Sequence, residues 1–140
     1  MEILAIIPAR GGSKGLHNKN ILHVNGHPLL SYSVIAGLQT PEITRVICST
    51  DSEDIASVAR EYGAETPFIR PAELAQDHSN DLEAFVHALE WLRNNEHYVP
   101  DIVVQLRPTS PIRYITDIQR AIKVLISNPC ARKAISSAFA

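Results

Sequence analysis

Cysteine is scarce in this 140-residue chain: Cys48 sits in a strand-like run and Cys130 beside a proline, with no spacing suited to a metal. Two such residues read as free thiols in a reducing compartment. Surplus charge is also missing. A net charge of −2 excludes a nucleic-acid coat protein, so any affinity for anions must be local. No apolar run approaches membrane-spanning length. Glu2 precedes the first apolar run in place of a basic leader, so a signal peptide is not expected. These absences give the expectation of a cytoplasmic protein that binds neither membrane nor nucleic acid. The sequence also has no internal repeat, low-complexity tract or linker. Its 45% apolar and 20% charged residues suit one domain with a buried core.

What is present is concentrated near the start. The apolar run of residues 3–7 ends at Pro8 and opens into Arg10-Gly11-Gly12-Ser13-Lys14-Gly15, with Lys19 and Asn20 following. A short apolar run reads as a buried parallel strand. Glycines just past such a strand let the backbone approach a ligand and turn N–H groups toward anionic oxygens. Arg10 and Lys14 add positive charge there. The plain alternative, a surface turn with two solvated cations, suits a bare Gly-Gly better than this cluster behind a strand. A nucleotide phosphate loop is therefore expected. Neither the Walker spacing nor the G-x-G-x-x-G fingerprint is present.

Strand and helix patterns alternate through the rest. Pro28 is suited to start a helix with Leu30, Val34, Ile35 and Leu38 on one face. Arg45–Ser49 reads as a second strand. Asp51 or Ser52 can cap a helix that buries Ile55, Val58, Ala59 and Tyr62 and stops at Gly63. Residues 66–69 suggest a short strand weakened by Pro67. Leu82, Phe85, Val86, Leu89 and Leu92 form a helical stripe, residues 102–106 a buried strand, and Ile115, Ile118, Ile122 and Leu125 another stripe. Residues 134–138 begin something strand-like. Such alternation predicts an α/β fold, a mostly parallel sheet with helices on both faces and the ligand over the strands' carboxyl ends.

Four segments carry a resemblance to the sugar-activating cytidylyltransferases. They are Ala9-Arg10-x-x-Ser13-Lys14-Gly15-x-x-x-Lys19-Asn20, Ser49-Thr50-Asp51, Arg70-Pro71-Ala72-Glu73-Leu74-Ala75 with Asp77, and Arg107-Pro108-Thr109-Ser110-Pro111-Ile112-Arg113. In that order they resemble the acylneuraminate type, which makes CMP-sialic acids from CTP. The Kdo-activating relatives carry an Arg-x-Pro-Gly-Lys-Pro loop ending that this sequence lacks.

The resemblance implies a Rossmann-like fold of the nucleotide-diphospho-sugar transferase type. It also implies transfer from CTP to a nonulosonic, nine-carbon sugar acid, with release of pyrophosphate. Arg10 and Lys14 would be catalytic, holding the triphosphate beside donors from Gly11, Gly12 and Ser13. Lys19, Asn20 and Arg70 would complete the nucleotide site, with Asn20 able to read a base edge. Without the motif, Arg70 would read as a solvated arginine before a turn. Arg107, Thr109 and Ser110 would face the sugar acid, although Arg107 stands where the family often has Gln. An arginine there suits a carboxylate or another substituent of the sugar acid. His17 is the one histidine placed to touch phosphate; the six read as solvated or core-edge rings. Glu53, Asp54, Asp77 and Asp81 read as helix-start charges.

The family's chains are longer, so the resemblance places the Mg²⁺ ligands and much of a homodimer interface beyond residue 140. The expectation is therefore that residues 1–140 are the nucleotide-binding part of a cytidylyltransferase, with no metal ligands of their own. The alternative is a CTP-binding module without catalysis.

Overall fold

The computed structural model describes residues 1–12 and 17–133. Strand β1 (Ile3–Pro8) lies at the centre of a parallel sheet, bonded on one side to β4 (Arg45–Ser49) and on the other to β5 (Ile102–Gln105). A strand flanked on both edges and covered on both faces has no polar side, which is why residues 3–7 are all apolar and all buried. Its alternate residues separate into two cores. Ile3, Ala5 and Ile7 meet Leu30, Val34, Ile55, Ala59, Ile118 and Ile122. Leu4 and Ile6 meet Ile47, Phe68, Ala88 and Leu92. The first layer comes from helices α1 (Leu29–Gln39), α2 (Glu53–Glu61) and α4 (Ile115–Ser127); the second comes mainly from α3 (Asp81–Glu96). The expected doubly covered α/β sheet is present.

Local chemistry sets the helix ends. Ser52 caps α2, its hydroxyl accepting from the Ile55 N–H at 3.3 Å. Gly63 then takes a φ of 107°, the left-handed turn that ends the segment. Asn80 and Glu83 form a reciprocal capping box at the start of α3. A feature not foreseen is a small antiparallel hairpin, β2 (His23–Val24) with β3 (His27–Pro28), turning through Asn25 and Gly26.

Several sequence expectations change. The buried face of α1 is Leu30, Ser33, Val34 and Gly37, while Ile35 and Leu38 are exposed. A Cβ on Gly37 would stand 3.0 Å from Val46 Cγ2, so α1 reaches the sheet through its small residues. Likewise α3 buries Ala84, Ala88 and Leu92 and exposes Leu82 and Val86. Residues 66–69 form no strand; only Glu65 makes a parallel bridge to Ile47, because Pro67 has no N–H for a ladder. Strand β5 is half-buried rather than buried, being bonded among the described residues to β1 alone. The strand expected over residues 134–138 lies outside the described residues.

Candidate active site

Three post-strand segments meet at the carboxyl edge of the sheet. Those after β1 and β4 are tied directly: the Ala9 N–H donates to the Ser49 carbonyl at 2.9 Å, and the Gly11 N–H to Asp51 Oδ1 at 2.8 Å. Gly11 has a tight neighbour, since a Cβ there would lie 3.0 Å from Ser52 Cβ. Gly12 is exposed, with nothing within 4 Å of where its Cβ would be. The loop after β1 closes on itself through Asn20. That side chain is buried and donates Nδ2 to the Arg10 carbonyl at 3.0 Å, while the Asn18 N–H donates to the Gly11 carbonyl at 3.1 Å. Asn20 therefore braces the loop, a role its sequence position did not announce. Lys19 is half-buried at the start of a short 3-10 helix, Lys19–Ile21, and His17 is exposed. Ser13, Lys14 and Gly15 lie outside the described residues.

Arg70 is not a solvated arginine. Only 5% exposed, it donates Nη2 to the Ser49 carbonyl at 2.6 Å, Nε to the Ser49 hydroxyl at 3.1 Å and Nη1 to the Leu74 carbonyl at 3.3 Å. Burial pulls its guanidinium below the ordinary arginine value, and the Asp51 carboxylate opposes that shift. It remains charged at neutral pH, as arginine does. Arg10, by contrast, reaches outward and pairs with Asp77 at 2.7 Å.

The third segment follows β5. Arg107 is exposed and pairs its Nη2 with Asp81 Oδ2 at 2.5 Å; Gln105 Nε2 donates to the same oxygen at 2.6 Å. The Arg107 carbonyl is held from below, accepting from the Ser33 hydroxyl at 3.0 Å and from Arg113 Nη2 at 2.7 Å. Arg113 also donates to the Ser33 hydroxyl at 2.9 Å, and burial lowers its pKa. Ser33 and Arg113 are thus supports that sequence reasoning passed over. Arg113 was visible in the motif, but Ser33 gave no signal, being a serine inside an apolar helix. Thr109 and Ser110 are exposed and, with Arg107, line a groove of about 770 Å³ beside β5, whose other wall includes Phe85, Val104 and Ile118. Asp81 keeps the helix-start position expected of it and adds the pair with Arg107. The histidines form no cluster: His27 Nδ1 lies 3.0 Å from the Tyr62 hydroxyl, and His87 packs edge-on to Phe68.

Arg10 and buried Arg70 thus stand with the Gly11-Gly12 turn at the carboxyl edge of a parallel sheet, the edge where open α/β sheets take ligands. A family profile described as cytidylyltransferase matches residues 4–136, and the chain belongs to that family. Among curated relatives it is 44% identical to an N-acylneuraminate cytidylyltransferase of Escherichia coli O18:K1:H7, over 88% of this chain and 28% of the relative. It is 39% identical to a CMP-N,N'-diacetyllegionaminic acid synthase of Legionella pneumophila, over 89% of this chain and 53% of the relative. A pseudaminic acid cytidylyltransferase of Campylobacter jejuni is 36% identical, over 91% of this chain and 55% of the relative. The chain thus spans about half the length, or less, of these relatives. A solved CMP:2-keto-3-deoxy-manno-octonic acid synthetase, complexed with CTP, superposes with a TM-score of 0.78 over 93% of this chain and 49% of that one. At 20% identity that likeness shows the fold alone, a parallel sheet of the Rossmann-like type covered by helices.

Proposed function

We propose that this chain carries the nucleotide-binding part of an enzyme that transfers CMP from CTP to a nonulosonic, sialic-acid-like sugar acid and releases pyrophosphate. The observation that carries the proposal is the join between the loops after β1 and β4. It holds Gly11 on Asp51 where the segments after β1 and β4 meet, and so supports reading the turn from Arg10 onward as the place for a triphosphate. The relatives named above support the substrate class.

In this reading a sugar hydroxyl attacks the α-phosphorus and pyrophosphate leaves, so the protein's work is positioning and charge neutralisation. Arg10 and Lys14 take the triphosphate, with Gly12 and Ser13 as further donors and Lys19 along the nucleotide, while the Gly11 N–H, expected as a donor too, is taken by Asp51. Asn20 and Arg70 act from beneath, keeping the loop and the end of β4 in place. Arg107, Thr109 and Ser110 face the sugar acid from the groove beside β5, where Arg107 suits its carboxylate.

Magnesium is the ion implied by the resemblance. The described residues do not fit a site for it: none of them form a group of three or more potential ligands, and Asp51, Asp77 and Asp81 are engaged by Gly11, Arg10 and Arg107. No metal ligand is assigned here. A homodimer and a cytoplasmic setting belong to the same proposal.

The test is pyrophosphate release with CTP, Mg²⁺ and a panel of nonulosonic acids, beside competition binding of the four nucleoside triphosphates. Tighter binding of CTP than of UTP, ATP or GTP, with release for at least one sugar acid, is the expected result. Binding of CTP without release would favour a non-catalytic module. Equal affinity for all four triphosphates would mean that the loop grips phosphates alone.

A further inference from the structure

Both outward-reaching arginines of the site meet carboxylates from one short stretch of chain. Arg10, on the loop after β1, pairs with Asp77 at 2.7 Å. Arg107, on the loop after β5, pairs with Asp81 at 2.5 Å. That stretch runs between two fixed points, buried Arg70 on Ser49 and the capping box at Asn80. It also holds its own shape. Gln76 Nε2 donates to the Ala72 carbonyl at 2.8 Å, the Gln76 N–H to the Ser79 hydroxyl at 3.1 Å, and the Ser79 N–H to the Gln76 carbonyl at 3.0 Å. Asp77 is therefore presented to Arg10 by a turn that does not depend on Arg10.

We propose that Asp77 is an affinity-setting residue that competes with the incoming ligand for Arg10, so that an anion must displace its carboxylate to be retained. This rests on the reading of Arg10 as a phosphate-gripping residue. Asp77 is 57% exposed and the Arg10 side chain 26%, so the pair contributes little to stability, as exposed ion pairs do. Its larger effect falls on binding. A carboxylate within hydrogen-bond reach must give up its charge-assisted bond before a phosphate oxygen can take the same guanidinium N–H. That cost is the same for every ligand using Arg10. A polyphosphate with further contacts along the loop meets it; a small anion with one contact does not. Asp81 stands in the same relation to Arg107 at the groove, with Gln105 sharing its oxygen.

The experiment measures the affinity of inorganic tripolyphosphate, and separately of CTP, by calorimetry for the full chain, Asp77→Asn, Arg10→Ala and the double variant. Asp77→Asn should tighten both ligands about two- to five-fold at low salt, the range an exposed ion pair is worth. The gain should shrink at about 0.5 M salt, where exposed charges are screened, and vanish in the Arg10→Ala background. A residue serving only the turn's structure, or one holding ligand directly, would give unchanged or weaker binding in Asp77→Asn. That result, with Arg10→Ala still weakening tripolyphosphate, would overturn the competition and leave the phosphate site standing. Unchanged binding in Arg10→Ala would overturn both.

Discussion

Two of the three guanidinium nitrogens of Arg70 donate to the same residue, Ser49: Nη2 to its carbonyl oxygen at 2.6 Å and Nε to its hydroxyl at 3.1 Å. Ser49 is the last residue of β4, and its carbonyl also accepts from the Ala9 N–H. One buried arginine thus secures the point where the loops after β1 and β4 meet.

Replacing Arg70 should unsettle fold and site together. Arg70→Ala removes three hydrogen bonds from a charged donor, leaves buried acceptors short of partners and should cost about 2–4 kcal/mol of stability. Arg70→Lys should recover only part of this, since an ammonium cannot reproduce the planar fork. Urea denaturation measures both; a loss below about 0.5 kcal/mol in Arg70→Ala would contradict the bracing role.

The adjacent glycines should behave differently. Gly11→Ala places a Cβ 3.0 Å from Ser52 Cβ, pressing the loop against the cap of α2. Gly12→Ala meets nothing within 4 Å. The first should lower stability by about 1–2 kcal/mol and weaken CTP binding, while the second should leave stability within about 0.5 kcal/mol of the parent. Equal stability losses would mean that the tight contact at Gly11 has no energetic weight.

Lys14 is assigned to the triphosphate on sequence grounds. Lys14→Ala should weaken CTP binding by about 1.5–3 kcal/mol, the usual worth of a charged hydrogen bond. Calorimetry on a variant whose circular dichroism matches the parent decides it, and an unchanged affinity would remove Lys14 from the site.

Cys48 supplies a dependence on pH. It is fully buried in β4, and burial pushes its thiol from 9.0 up to about 12. Because the folded value lies above the unfolded one, the associated stability is fully present below pH 9 and falls as pH rises toward 12. Cys48→Ala should flatten that part of the stability profile. In the native protein at pH 8, a thiol reagent should react with exposed Cys130 and spare Cys48, with both reacting in urea. Native reaction at both cysteines would contradict the burial.

Strand–helix alternation and the turn after β1 were legible in the sequence, because periodicity and turn chemistry are local. Residues 3–7 announced the central strand, and Ser52 and Gly63 announced the limits of α2. The apolar stripes of α1 and α3 misled in part. Packing distance favours Gly37, Ala84 and Ala88 against the sheet, whereas Ile35, Leu38, Leu82 and Val86 face outward. Periodicity finds a stripe, but it cannot tell which edge of that stripe comes closest to the sheet.

The sequence by itself determined the kind of fold and which cations and glycines follow β1. Only the tertiary structure decided how those groups are used. Arg10 and Arg70 are both arginines near a turn, yet one pairs at the surface with Asp77 and the other is buried on Ser49. Asn20 braces the Arg10 carbonyl, and Ser33, 74 positions away, joins Arg113 in fixing the Arg107 carbonyl. The physical reason is that a hydrogen bond or ion pair depends on distance in space. Between residues far apart in the chain, that distance exists only once β1, β4 and β5 lie side by side.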